Sequence, residues 1–395
     1  MDCSEKVQTI TPWSTECSTN GFDYNEMIKK FGVQPINNEL LVRFKQVTGH
    51  EPHYWLKRGI FFAHRDLENI LDDHEQGKPI FLYTGRGPTT EALHLGHMIP
   101  FIFTKWLQDV FNAILVIQMA DDEKYFFKDT SFEEIYKLQF ENVKDIIACG
   151  FNPERTFVFS NHDYCMNPAP SKLIHEMHKK FNMNVIKAIF GLPDGACLGQ
   201  YVWPLHQMAA SLSKFFEPIF GNEPVRCLVA CAIDQDPYFR GIRDKAEQLA
   251  SFKPCVIMSQ FLPALEGNTK MNSTYSNGHK TIFMTDDPKT ILNTIKKHAF
   301  SGCKQTLAEH RIHGANLAID ISYQYLKYFL EDDNELQRIA QEYSSGRMGA
   351  NEVKIILSNL LSTFIASHQE KRNAVTQNDI NYFYNIDKFK NTVNN

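Results

Sequence analysis

Much is scarce in this 395-residue chain, and each absence narrows the possibilities. There is no C-x-x-C pair: nine cysteines are dispersed from Cys3 to Cys303, an odd set that fits reduced thiols in the cytosol better than a disulfide framework. The nearest spacing, Cys227 to Cys231, falls in the apolar run CLVACAI. It reads as two buried strand residues rather than zinc ligands, and no structural metal is expected. No apolar stretch approaches the roughly 20 residues of a membrane helix. The opening MDCSEKVQ lacks the basic and apolar regions of a secretory leader. Repeats and low-complexity tracts are absent. A net charge of −5 gives no overall attraction to a polyanion, so such a partner requires a local basic patch. With 43% hydrophobic and 12% aromatic residues the chain is globular, and its length suits two to three domains.

What is present is an alternation of apolar runs and helical periodicity. Helices are expected at 24–31, 38–48 and 66–75, with a loop or short strand at 59–64 and an extended arm or hairpin over 1–20 that carries Pro12-Trp13. Strands are expected at 80–83, 113–118, 156–160, 225–233 and 256–259. Helices fall between them at 98–111, 130–149, 170–190, 201–216 and 237–250; the second starts at a Thr/Ser cap with Glu133 and Glu134 in its first turn. This order implies an α/β fold on a doubly wound parallel sheet, with ligands at the carboxyl ends of the strands. From residue 286 strand-like runs almost vanish, and helices are expected at 288–300, 319–330, 334–343 and 351–372. This C-terminal all-helical domain balances thirteen basic against thirteen acidic residues. Lys296, Lys297, His298 and Arg311 form a local positive cluster, either RNA-facing or a solvated helix face. The domain boundaries are thus 1–75 for an N-terminal arm and helical extension, 76–285 for the sheet domain with a helical insertion at about 165–220, and 286–395 for the helical domain.

The stretch 81–97, FLYTGRGPTTEALHLGH, organises the rest. A strand ends at Tyr83, Gly85, Gly87 and Pro88 force a turn, and a helix opens near the second histidine. Backbone N–H groups and the positive end of a helix dipole then converge where an anion is favoured. His94 and His97, three residues apart, can face one side of the first turn and donate to phosphate oxygens, and Gly96 lets a flat ring approach the backbone. On spacing alone, two capping or surface histidines fit as well.

YTGRGP (83–88), HLGH (94–97), AIDQDPYF (232–239) and KMNST (270–274), in that order, resemble the signatures of class I aminoacyl-tRNA synthetases, and of the eukaryotic-type tryptophanyl-tRNA synthetases in particular. The longer strings RGIFFAHRD (58–66), 101–111, 120–125 and 298–302 take part, and the resemblance runs from about residue 11 to about residue 383. It implies a Rossmann-like catalytic domain at 76–285, an anticodon-binding helical domain at 286–395, and an arm over the ATP site. It also implies activation of L-tryptophan with ATP and Mg²⁺ to tryptophanyl-adenylate, transfer to tRNA(Trp), and a homodimer.

The resemblance assigns roles residue by residue. Tyr83 and Gln118 meet the indole; Glu123, Gln207 and Gln235 hold the amino group. Thr84, Gly85, Gly87, His94, Gly96, His97, Asp234, Lys270, Met271 and Ser273 face ATP, with His94, His97, Lys270 and Arg86 as the catalytic set. Physical chemistry is consistent with this. Tyr83, Gln118, Glu123 and Gln235 follow or finish parallel strands, a carboxylate suits an ammonium, and a buried site built around an N–H rejects side chains lacking it. Arg86, between two glycines, can reach a phosphate or stand in solvent. Asp234 can accept from a ribose hydroxyl or cap the helix from Pro237. KMNST departs from the family's KMSKS loop at Asn272 and Ser273, and 275–281 is about two residues longer than the pattern. Lys280 or His279 is positioned to supply the missing charge. The rival expectations are a tyrosyl-tRNA synthetase, a small-molecule nucleotidylyltransferase, and a non-enzymatic paralogue.

Overall fold

Apolar, β-branched runs bounded by polar residues become strands buried on both faces, and these carry the site. The computed structural model describes residues 9–10, 15–16, 22–267, 271, 280–304 and 306–390. Among them, in chain order, are β1 (Thr9–Ile10), β2 (Thr15–Glu16), β3 (Gln34–Pro35), β4 (Phe61–Arg65), β5 (Ile80–Arg86), β6 (Ile114–Met119), β7 (Thr156–Ser160), β8 (Arg226–Ala232) and β9 (Cys255–Ser259). The chain divides into two compact units. The larger comprises Met27–Glu91, Ile99–Ser259 and Ala374–Asn395; the smaller comprises Met1–Glu26, Ala92–Met98 and Gln260–Asn373.

The larger unit holds a seven-stranded sheet in the order β3-β4-β9-β8-β5-β6-β7. From β9 to β7 every pairing is parallel, whereas β4 runs antiparallel to β9 and β3 to β4. The expected doubly wound parallel sheet is therefore present, extended on one side by an antiparallel flap from the segment read as a loop or short strand. β5 is flanked by β6 and β8, the place where strand order reverses and a crevice opens at the carboxyl ends. Phe81, Leu82, Leu115, Val116, Ile117, Val158, Leu228 and Val229 are buried along these strands, as are Cys227 and Cys231. The seven described cysteines are all free thiols.

Helix Phe132–Ala148 starts at a capping box in which Ser131 Oγ accepts from Glu134 N and Glu134 Oε2 accepts from Ser131 N. The helix expected over 170–190 is two helices, Pro168–His178 and Met183–Phe190. Asn182 takes extended backbone between them, and its side chain accepts from Val185 N at 3.0 Å, starting a new helix. Helix Gln377–Tyr384 and the turn after it cover the outer edge of β7. Gln139 Nε2 donates to Tyr384 Oη at 3.0 Å, and Lys388 Nζ to Thr156 O at 2.6 Å, which blunts an otherwise open strand edge.

The smaller unit pairs β1 with β2 as a hairpin; Pro12-Trp13 lies outside the described residues. Its helices after residue 286 are Pro288–His298, Ile321–Phe329, Asp333–Ser344 and nearly all of Ala350–Ala374, as the C-terminal helical pattern implies, together with Leu307–His313, which that pattern does not show. No described helix is long and apolar enough to cross a membrane.

Candidate active site

In the larger unit the strand ends bring together the residues singled out for an aromatic amino acid. Tyr83 is buried in the middle of β5, which does not end there as expected but runs on through Gly85 to Arg86, both still paired to β6. It donates its hydroxyl proton to Gln118 Oε1 at 2.5 Å, with Gln207 O at 3.3 Å. Burial pushes the Tyr83 phenol well above its ordinary pKa, so it stays protonated and able to donate. Gln118, on β6, uses Nε2 to reach Asn161 Oδ1 at 2.7 Å and His206 O at 3.2 Å. Gln207 Nε2 donates to Gln235 Oε1 at 3.1 Å, so helix Leu198–Ala209 meets the turn after β8.

Glu123 pairs with Lys124 at 2.8 Å, and the pair lies across Gly87. A Cβ at Gly87 would come within 2.3 Å of Lys124 Cε and 2.8 Å of Glu123 Oε2. A side chain there would have to push the flexible ends of Lys124 and Glu123 aside, which ties the turn after β5 to the carboxylate assigned to the ammonium. Thr84 is buried in the same strand. Arg86 turns its guanidinium inward: Nε donates to Asn142 Oδ1 and Nη2 to Thr89 Oγ1, both at 3.2 Å, while Asn142 Nδ2 holds Thr90 O at 2.7 Å. Desolvation lowers the Arg86 guanidinium to about 10 despite Glu123 and Asp145 nearby, and it remains a cation that pins its own loop.

Asp234 is buried in the turn Ile233–Gln235. The cap position of helix Asp236–Arg243 falls on Gln235, whose own side chain makes no capping hydrogen bond. The turn is anchored from far away in sequence. Arg65 grips Asp236 through Nε (2.6 Å) and Nη2 (2.7 Å) and also holds Phe31 O and Gly32 O. At the carboxyl end of β6, burial pushes the Asp121 carboxyl up to about 6, against donation from Ser160 Oγ and the main-chain N–H groups of His162 and Asp122.

In the smaller unit the histidine signature sits on a strip of main-chain pairing. Met284 N donates to Leu93 O (2.8 Å) and Leu95 N to Ile282 O (3.2 Å), with His94 bridged to Phe283. The His94 and His97 rings stack with centroids 3.4 Å apart. The flat ring expected against Gly96 is here that of His94: a Cβ at Gly96 would lie 3.1 Å from His94 Cε1 and 3.6 Å from Met271 Sδ. Met271 is buried and its N–H donates to Leu262 O at 3.2 Å. Lys270, Asn272, Ser273 and His279 lie outside the described residues, and Lys280 pairs with Glu266 at 2.8 Å. Among the described residues no group of three or more His, Cys, Asp or Glu side chains could hold a metal ion.

Sequence reasoning passed over Asn161, Asp122, His206 and Arg65. Asn161 was within reach of the rule that found Gln118, since it directly follows strand β7. Arg65 and His206 carried no local signal, because their partners lie 171 and 84 residues away.

A family model described as class I tRNA synthetases (W and Y) matches residues 75–191 and 224–366. The chain belongs to this family of class I aminoacyl-tRNA synthetases. Within it, the chain is 47% identical to the cytoplasmic tryptophan–tRNA ligase of Homo sapiens over 378 residues, covering 95% of this chain and 80% of the human protein. The corresponding Dictyostelium discoideum protein is 46% identical over 390 residues, 97% of this chain and 96% of that one. The crystal structure of Plasmodium falciparum tryptophanyl-tRNA synthetase matches with a TM-score of 0.87 at 43% identity, over 94% of this chain and 99% of that chain.

Proposed function

We propose that this chain is a tryptophan–tRNA ligase, activating L-tryptophan with ATP and passing it to tRNA(Trp). Identity near 47% along almost the whole chain carries this reading, and the Tyr83–Gln118 hydrogen bond at the switch point of the sheet supports it. A carboxylate oxygen of tryptophan attacks the α-phosphorus of ATP in line. A new C–O–P linkage forms, the bond from the α-phosphorus to the bridging oxygen breaks, and pyrophosphate leaves with that oxygen. A hydroxyl at the 3′ end of the tRNA then attacks the activated carbonyl and displaces AMP. The protein supplies position and charge rather than a covalent nucleophile.

In this reading Tyr83 and Gln118 receive the indole N–H, and Glu123, Gln207 and Gln235 hold the ammonium. Thr84, Gly85, Gly87, Gly96, Asp234, Met271 and Ser273 line the nucleotide, and His94, His97 and Lys270 gather the negative charge that develops on the departing phosphates. Arg86 serves by fixing the loop that carries Gly85 and Gly87. Mg²⁺ enters on the phosphate oxygens of ATP, where its charge offsets that of the leaving group. Residues 286–395 form the anticodon-binding region, 76–285 the catalytic domain and 1–75 the arm and extension. The relatives are named cytoplasmic, and the same compartment is assigned here.

The chain also acts as a homodimer. Met166 (78% exposed), Met183 (57%) and Leu198 (74%) leave apolar surface on the helical insertion that a second copy would cover. Pyrophosphate exchange measured with tryptophan and with tyrosine tests the activity. Exchange that depends on tryptophan supports it, and dependence on tyrosine overturns it. A monomer mass by light scattering at micromolar concentration overturns the dimer.

A further inference from the structure

We infer that Asn161 is a positioning residue for side-chain selection, acting through Gln118. This rests on the tryptophan-activating function proposed above. Asn161 opens the short helix Asn161–Tyr164 at the carboxyl end of β7 and is 1% exposed. Its amide stands between two groups of unequal demand. On one side is the Asp122 carboxylate, which is surrounded by donors. Oδ1 accepts from Glu123 N and from Asn161 Nδ2, both at 2.8 Å, and Oδ2 takes His206 Nδ1 at 2.5 Å.

A carboxylate offers only lone pairs to its neighbours, so the Asn161 amide nitrogen must face Asp122. Its oxygen is then left for Gln118, and only the nitrogen end of Gln118 can meet it. The main-chain carbonyl of His206 makes the same demand on Gln118 from a second direction. With both N–H groups of Gln118 used, its Oε1 is turned toward Tyr83 and keeps a lone pair. The Tyr83 oxygen, its proton given to Gln118, offers lone pairs as well.

The selecting end of the pocket is therefore an acceptor-only surface, matched to a single N–H. Its polarity originates at Asp122 and is transmitted by Asn161. Without Asn161, only the longer bond to His206 O and the Tyr83 hydroxyl still orient the Gln118 amide, and each rotation that presents its nitrogen would meet an indole N–H donor to donor.

The test is pyrophosphate exchange by the full-length protein on two substrates, tryptophan and its benzothiophene analogue, in which sulfur replaces the N–H. The ratio of their kcat/KM values reads polarity at Gln118. In the wild type the ratio favours tryptophan by roughly 100-fold or more. Asn161→Leu removes both ends of the relay and should lower that ratio at least about tenfold. Asn161→Asp keeps an acceptor for Gln118 Nε2 and should hold the ratio within about threefold of wild type, whatever its absolute rate. If Asn161→Leu does not fold, as judged by its melting transition, Asn161→Ala carries the same prediction.

Equal losses on both substrates, with the ratio unchanged, would show that Asn161 is merely structural and overturn the inference. So would an Asn161→Asp ratio as low as that of Asn161→Leu. A wild type that does not exchange with tryptophan at all fails earlier and separately, at the proposed function itself.

Discussion

The residues proposed for the amino acid, in the larger unit, and the histidine signature, in the smaller one, are held in different ways. Around Tyr83 the holding is mainly by side chains: Tyr83, Gln118, Asn161, Asp122, His206, Gln207 and Gln235 are linked by hydrogen bonds across 28 to 124 residues of sequence. Around His94 and His97 it is by main chain, with residues 93–95 paired to 282–284 and the two imidazoles resting on one another. A pocket that must reject close analogues needs fixed polarity, which a satisfied side-chain network supplies at the risk of high cost when broken. A strip that gathers phosphate charge needs only its donors in place, which backbone pairing secures without prescribing each side chain.

This contrast can be broken experimentally, and the largest effect is expected at its centre. Gln118→Leu should reduce kcat/KM for tryptophan roughly 100- to 1,000-fold, because the Tyr83 hydroxyl and Asn161 are left without their partner. A loss below about tenfold in steady-state kinetics would mean the network does not select. His97→Ala should act on the other side, lowering kcat for exchange roughly 100-fold while leaving KM for tryptophan nearly unchanged. A raised KM with unaltered kcat would erase the distinction between the two regions.

A third test concerns stability. The folded Asp121 carboxyl titrates at about 6, against an ordinary 3.8. Below about pH 4 both folded and unfolded forms are protonated, and the contribution is fully present. As pH rises through 6 the buried proton is lost, and about 3 kcal/mol of stability goes with it. Asp121→Asn should therefore gain on the wild type between urea midpoints taken at pH 4.5 and pH 7.5. Parallel curves would count against it. The smallest effect is expected at Gly87→Ala, where the new Cβ displaces the Glu123–Lys124 pair and should raise KM for tryptophan about tenfold. An unchanged KM would detach Glu123 from the ammonium.

Much of this was legible in the sequence, for reasons that also explain what was not. Strands β5 to β9 are buried apolar runs, so Tyr83, Gln118 and Gln235 could be placed on or just after them, although β5 continues through Gly85 to Arg86, beyond the point where its glycines suggested an end. The antiparallel flap of β4 was obscured because its buried residues, Phe61 to His64, do not alternate with polar ones. Helix Leu307–His313 went unseen because it exposes Leu307 and Ile312 and shows no apolar face. Arg86 looked free because its neighbours are glycines, and only tertiary structure supplies Asn142. The relay through Asn161 depends on which end of an amide meets which oxygen, a property of three-dimensional contact that no spacing encodes.

Arg65 reaches from the flap to the turn carrying Asp234 and Gln235 and also grasps the carbonyls of Phe31 and Gly32. The minimal working fragment is consequently longer than the parallel sheet suggests. A truncation starting at residue 76 would keep strands β5 to β9 yet abandon Asp236 as a buried, uncompensated anion. Shortened versions that retain activity should begin upstream of Phe31.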